Sequence, residues 1–180
     1  MERKPIRLSG TSYAVLSLLD HLGEATPYEL KQAIGQTIAN FWPVPHTTFY
    51  AEPARLAGAG YLVEQQEQHG RRRRLYRLTD AGREALRAWT QAPTTAPPQV
   101  YDEALLKIFA GADPVPLLHE RRAWHEAKIA ELTGYLEDPP WPDARRAESE
   151  ATLLVGLDFH TRQLDAIAGF LTALAPDRNT

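Results

Sequence analysis

A chain of 180 residues, 43% hydrophobic and 24% charged, has room for one ordinary domain or a small domain with an extension, and its composition is globular rather than disordered. It has no cysteine, which excludes a disulfide framework and thiolate chemistry, and no run approaches the roughly 18 consecutive apolar residues of a membrane span. The net charge of -3 is uneven: residues 1–91 hold 12 Lys and Arg against 9 Asp and Glu, a net of +3, while residues 92–180 hold 8 against 14, a net of -6. With a pI near 6.1, any binding to an anion belongs to a patch in the front half. Met1-Glu2-Arg3-Lys4-Pro5 has no apolar signal run behind it, so a cytoplasmic protein with no membrane partner is expected.

Ser9 or Thr11 caps a first helix in which Val15, Leu18, Leu19 and Leu22 fall at i, i+3, i+4 and i+7, and Gly23 ends it. Thr26-Pro27-Tyr28-Glu29 opens a second: Thr-x-x-Glu is a capping box, and proline suits the first helical position. Its apolar stripe is Leu30, Ile34, Ile38 and Phe41, and the two prolines of Trp42-Pro43-Val44-Pro45 stop it. A third helix over residues 46–58, starting at His46, puts Phe49, Pro53 and Leu56 on one side and Thr47, Thr48, Ala51 and Arg55 largely elsewhere. That small polar outer face suits a major groove, where threonine hydroxyls and methyls meet base edges and arginine reaches phosphate or guanine. Pro53 removes one backbone hydrogen bond and predicts a bend in this helix.

Two short strands follow, residues 61–66 and 75–79, closed by a turn at His69-Gly70. Between them stand Arg71, Arg72, Arg73 and Arg74. Tyr76 and Leu78 alternate with Leu75, Arg77 and Thr79, so one face packs on the helices and the other stays wet. The same alternation sends Arg71 and Arg73 one way and Arg72 and Arg74 the other. A cationic hairpin tip directly after a reading helix is a source of phosphate contacts, with His69 as a candidate phosphate donor. Thr79 caps a fourth helix over residues 80–91, with Leu86 and Trp89 as its buried residues.

Ala-Pro-Thr-Thr-Ala-Pro-Pro-Gln at 92–99 is too stiff and polar for a core. It divides the chain into a domain at 1–91, a Pro-rich linker at 92–100 and a helical domain at 101–180. In the last, residues 102–111 form a short helix, and Asp113-Pro114 starts a longer one with Leu118, His125, Ile129, Leu132 and Leu136 as its stripe. A final helix spans 143–175. Leu154, Leu157, Thr161, Leu164, Ala168, Leu171 and Ala175 alternate by three and four, and Leu153, His160, Ile167 and Leu174 form a second row seven apart. A helix with two adjacent apolar rows can bury one in its own chain and one in a partner, so a homodimer is expected; the alternative is that both rows pack inside one helical subdomain.

None of the six histidines, His21, His46, His69, His119, His125 and His160, forms a metal-ligand pair at i, i+3 or i+4. Neither a phosphate-binding glycine loop nor a nucleophile elbow is present, and Glu120, Glu126 and Glu131 read as solvated helix faces. No cofactor, no metal and no enzymatic activity are expected. Trp42, Trp89, Trp124, Phe159 and Phe170 are candidates for lining a small-molecule cleft, against the competing reading that they are core.

Several stretches form one compound pattern. They are Tyr13-Ala14-Val15-Leu16 with Leu18-Leu19; Pro27-Tyr28-Glu29-Leu30; His46-Thr47-Thr48-Phe49-Tyr50 with Arg55-Leu56 and Gly60-Tyr61-Leu62; and Arg72-Arg73-Arg74 with Tyr76-Arg77-Leu78-Thr79-Asp80-Ala81-Gly82. The pattern resembles the PadR family of transcriptional regulators, over residues 8–91 by motif and over the remainder by length and helix pattern, as in the family's long form. The resemblance implies a mainly α fold, a winged helix-turn-helix DNA-binding domain with a small β-hairpin wing plus an all-α C-terminal dimerisation subdomain. It implies a homodimeric repressor on an inverted-repeat operator in double-stranded DNA, released by a small aromatic or drug-like effector. Carried over position by position, Tyr28, Thr47, Thr48, Tyr50 and the wing arginines contact DNA, while Pro53 departs from the most regular form of the reading helix. The alternative function is a winged-helix protein–protein interaction module without sequence-specific DNA binding.

Overall fold

A computed structural model of the chain describes residues 6–42, 47–66, 73–94, 97, 99–139 and 146–175. Its contacts cluster into two compact units, Met1–Thr94 with Pro140–Ser149, and Thr95–Pro139 with Glu150–Thr180.

The first unit starts with α1, Gly10–Leu22, whose N-cap is Ser9. Ser9 Oγ accepts from the Ser12 N–H and Ser12 Oγ accepts from the Ser9 N–H, a serine version of the capping box. Gly23 closes the helix at φ 77°, a backbone region that side chains disfavour, and donates its N–H to the Leu19 carbonyl. Next come β1, Glu24–Ala25, and α2, Pro27–Gln36, which begins on the expected Thr26/Glu29 box with Pro27 in its first turn. A 3-10 turn over Ile38–Asn40 follows. Because that turn advances three residues per revolution, it rotates the end of the apolar stripe away from the core. Phe41, expected on that stripe, is accordingly 58% exposed.

The third helix, α3, is Thr48–Ala59 and runs unbroken through Pro53, which is fully buried; its expected start, His46, lies outside the described residues. Gly60, left-handed at φ 89°, caps it and turns the chain into β2, Leu62–Gln66. Strand β3, Arg74–Leu78, pairs antiparallel with β2 and also with β1, giving the order β1-β3-β2. Two residues are too few to show an alternating pattern, so β1 has no signature in the sequence, yet it makes the expected hairpin a three-stranded sheet. Helix α4, Asp80–Gln91, begins on Thr79, whose Oγ1 accepts from the Gly82 N–H at 3.1 Å. One apolar cluster joins these elements, with Val15, Leu16, Leu30, Phe49, Leu56 and Tyr76 each at 1% exposure or less. Leu86 joins it as expected, but Trp89 is 47% exposed: its indole stacks on Tyr13 at a centroid distance of 4.5 Å, covering one face only.

The second unit contains α5, Glu103–Phe109; α6, Pro114–Glu137; and most of α7, Arg146–Leu174. Asp102 caps α5 through its Oδ1, which accepts from the Ala104 and Leu105 N–H groups, and its Oδ2 accepts from Arg121 Nε of α6 at 2.9 Å. Asp113 caps α6 in the same way, accepting from Val115 N–H. Leu132 on α6 and Leu153 and Ile167 on α7 are buried, and Gly156 makes room for Leu132, since a Cβ there would lie 3.3 Å from Leu132 Cδ1.

Candidate nucleic-acid interface

Helix α3 divides by face. Phe49, Glu52, Pro53 and Leu56 are buried; Thr47, Tyr50, Ala51, Arg55 and Gly58 are exposed and Thr48 is half-buried. Apolar residues recurring every three to four positions force this division, and it leaves two hydroxyls, a phenol and small side chains pointing outward at the N-terminal half. Tyr28, at the start of α2, is also exposed, and its hydroxyl accepts from Gln32 Nε2 of the next turn at 3.3 Å.

Arg55 departs from the expected free outward side chain. Its Nε donates to Glu52 Oε2 at 2.8 Å and its Nη2 to Glu52 Oε1 at 2.6 Å, a bidentate pair. Nη2 also donates to Ser12 Oγ of α1 at 3.0 Å, and Ser12 Oγ donates to Glu52 Oε1 at 2.7 Å. Hydrogen bonds from Arg55, against the penalty of burial and helped by Ser12, hold the Glu52 carboxyl below its ordinary range, and Glu52 raises Arg55 in return. Helical spacing from Phe49 and Leu56 places Glu52 on the inner face. A buried carboxylate there demands a partner, and Arg55, three positions on, is the sequence signal that identifies it.

In the hairpin, Arg73 and Arg74 are described and exposed; His69, Arg71 and Arg72 lie outside the described residues. Arg74 shares its strand face with Tyr76 and Leu78, and its Nε lies 3.5 Å from Glu64 Oε1 across the ladder, where Glu64 also accepts from the Tyr76 hydroxyl at 2.9 Å. Burial first, and Glu64 second, raise the Tyr76 phenol above its usual value, so it remains a donor. Arg73 is on the other face and borders an open cavity of about 470 Å³ with Leu22, Glu24, Ala25, Glu29 and Leu75. Arg77, exposed on the same face as Arg73, is a further wing cation outside the arginine run; the period-two alternation of β3 identifies it.

The aromatic residues considered for a cleft fall in different units. Trp42 and Trp89 belong to the first, where the Trp42 ring lies against Gly10. Trp124 and Phe159 belong to the second, edge-on to a pair of buried imidazoles: His125 Nδ1 and His160 Nδ1 are 2.8 Å apart, and the Trp124 ring is 4.9 Å from one and 5.4 Å from the other. Phe170, also in the second, is exposed on α7. Along that helix Leu153, His160 and Ile167 are buried in their own unit, whereas Leu174 of the same row is 46% exposed. In the neighbouring row Leu154 and Thr161 are exposed and Leu157, Leu164 and Leu171 half-buried. Among the described residues, no group of three or more His, Cys, Asp or Glu side chains could hold a metal ion, and no helix is long and apolar enough to cross a membrane.

A helix packed on two others, followed by a hairpin with arginines on both faces, is a winged helix-turn-helix, a fold used by DNA-binding transcription regulators. Residues 15–88 match the Transcriptional regulator PadR-like family, and the chain thus carries a PadR-like domain. It is 26% identical, over 132 residues that make up 69% of this chain and 72% of the relative, to the negative transcriptional regulator PadR of Bacillus subtilis (strain 168). The solved structure of Bacillus subtilis PadR in complex with operator DNA matches with a TM-score of 0.77 at 22% identity, covering 92% of this chain and 99% of that one. The PadR-like transcriptional regulator BC1756 from Bacillus cereus matches at 0.72 and 21%, covering 91% and 96%. Bacillus subtilis PadR in complex with p-coumaric acid matches at 0.70 and 22%, covering 92% and 96%.

Proposed function

We propose that this chain is a homodimeric repressor that reads an inverted-repeat operator with two copies of α3 and is released by a small aromatic or drug-like ligand. The observation that carries the DNA reading is the exposed N-terminal half of α3, mostly small and polar, beside a hairpin in which Arg73 and, on strand β3, Arg74 and Arg77 are exposed. Thr47, Thr48 and Tyr50 contact base edges, Tyr28 and the wing arginines contact backbone, and the phosphate contacts supply affinity while the base contacts supply sequence. A twofold dimer presents one reading helix twice, which is why its operator repeats inverted. Support for the dimer comes from α7, which buries Leu153, His160 and Ile167 in its own unit and leaves Leu154, Val155 and Phe170 exposed. Support for repression, operator binding and a phenolic ligand comes from the Bacillus subtilis relative, a negative regulator solved both with operator DNA and with p-coumaric acid.

Fluorescence anisotropy of the full chain on labelled duplex DNA, repeated across salt concentrations, tests this. Log affinity is expected to fall linearly with log salt, by about 0.9 per phosphate neutralised. Replacing Arg73 and Arg74 together by Ala is expected to lower that slope by about 2 units on the same relation. Binding that ignores salt, or that the double substitution leaves untouched, sinks the DNA reading and favours a protein-interaction module.

A further inference from the structure

The inner face of α3 carries an ionic group where apolar packing alone would suffice to hold the helix down. Glu52 is 8% exposed and sits in sequence beside the fully buried Pro53, between Phe49 and Leu56. Apolar packing of Phe49, Pro53 and Leu56 sets which face of α3 turns inward, but being non-directional it sets the rotation only coarsely. Hydrogen bonds are directional. The hydroxyl of Ser12 donates to Glu52 Oε1, accepts from the Ser9 N–H at 2.8 Å and from Arg55 Nη2 at 3.0 Å, and also lies 3.1 Å from Ser9 Oγ. A rotation of α3 separates Glu52 and Arg55 from Ser12 and leaves a buried carboxylate short of donors.

Arg55 is itself changed by this arrangement. Its charge is matched by Glu52 through two hydrogen bonds, and Nε and Nη2 are both occupied. A phosphate approaching it meets a neutral pair rather than a cation.

We infer that Ser12, Glu52 and Arg55 are positioning residues for DNA reading: together they lock the rotation of α3 so that Thr47, Thr48 and Tyr50 face the groove, and Arg55 neutralises no phosphate. This rests on the DNA reading above. Loss of the lock blurs sequence discrimination while leaving the electrostatic attraction to any duplex intact.

The test measures the full chain on two probes, duplexes enriched by the wild-type protein from a random-sequence pool and a mixed-sequence duplex, each across salt, at a temperature where circular dichroism shows every variant folded. Arg55→Ala and Glu52→Gln are expected to lower affinity for the enriched duplexes about tenfold, the scale of one lost base-pair discrimination. Arg55→Ala leaves mixed-sequence binding and the salt slope unchanged, whereas Glu52→Gln, which frees the Arg55 charge, lowers neither. Ser12→Ala, the mildest variant and one on a different helix, lowers the ratio of the two affinities in the same direction. Arg55→Lys fails to restore that ratio, because a lysine keeps the charge but not the planar fork. A drop of about one unit in the salt slope on Arg55→Ala, with both probes weakened alike and Arg55→Lys rescuing them, identifies a phosphate contact and overturns the inference. Wild-type discrimination retained in all the variants overturns it as well. Absence of any salt-dependent binding by the wild type is a different failure, that of the regulator reading itself.

Discussion

The two units bury apolar surface on very different scales. The first gathers fourteen described hydrophobic residues, from Ala14 to Leu86, into one cluster drawn from α1 to α4 and all three strands. The second buries three, Leu132, Leu153 and Ile167, with the imidazoles of His125 and His160 also buried, and leaves Leu105, Leu106, Phe109, Leu154, Val155 and Phe170 exposed, Phe109 at 90%. A core of that size is small beside the conformational entropy of ordering three helices. The contrast teaches that the first unit has the larger core of its own, while the second leaves a broad apolar face uncovered. In the homodimer proposed above, a second copy of the same unit covers that face.

The largest expected effect breaks the side with the larger core. Phe49 has 0% exposure, and Phe49→Ala is expected to destabilise the first unit by about 3–5 kcal/mol in urea unfolding. If the two units are as separate as their cores, the transition of the second unit stays in place; a common shift of both contradicts the comparison.

The imidazole pair sharpens the other side. Burial holds both His125 and His160 below the ordinary histidine value, reinforced at His125 by His160 and Arg121 and opposed by Asp102, and at His160 reinforced by Lys128 and opposed by Glu131. One ring donates through Nδ1 and the other accepts, an arrangement that two protonated rings cannot keep. The unfolded chain therefore binds protons more readily than the folded one. Stability of the second unit is full above about pH 6.5 and is lost as pH falls through the lowered folded values. In the first unit Glu52, also lowered, gives up its share only below the ordinary carboxylate range. Acid titration of the two unfolding transitions should separate them, and His125→Ala should remove about 1–3 kcal/mol from the second by stranding a buried ring nitrogen. A second unit whose stability is flat from neutrality to about pH 5 refutes this.

Dilution is the gentlest probe. Each tenfold dilution of a homodimer weakens its association by about 1.4 kcal/mol, and the second unit alone should feel it. Sedimentation at micromolar concentration that returned the single-chain mass of 20.2 kDa would count against the dimer.

Features fixed by near neighbours were legible in the sequence. The Thr26/Glu29 box, Thr79, Asp102 and the Asp113-Pro114 start each involve groups within a turn of one another, and each helix begins where those residues placed it. What depended on distant partners was not. Strand β1 is two residues long and exists only through its pairing with Tyr76 and Arg77, far along the chain. The tie between Ser12 and Glu52 spans forty residues, and the facing of His125 and His160 requires the register of α6 against α7. Trp89 and Phe41 have the apolar character of core residues, but apolar character does not say which ring lies at the rim. Of the candidate DNA contacts, Thr47 and Thr48 were read from helix periodicity, and Tyr50 from the family resemblance. The engagement of Arg55 was hidden, because a face traced through apolar residues alone passes over the carboxylate of Glu52 that lies on it.

Thr79 has a mechanical consequence. Its hydroxyl lies 2.8 Å from the Gly60 carbonyl and 3.0 Å from that of Tyr61, its N–H donates to the Tyr61 carbonyl, and a Cβ at Gly82 would collide with that same oxygen. The end of α3, both feet of the hairpin and the start of α4 are thus bolted at a single joint. Helix and wing behave like two prongs cast in one piece, with a fixed gap between them. In the regulator proposed above, a ligand signal that moves the C-terminal end of α3 carries the foot of the wing with it.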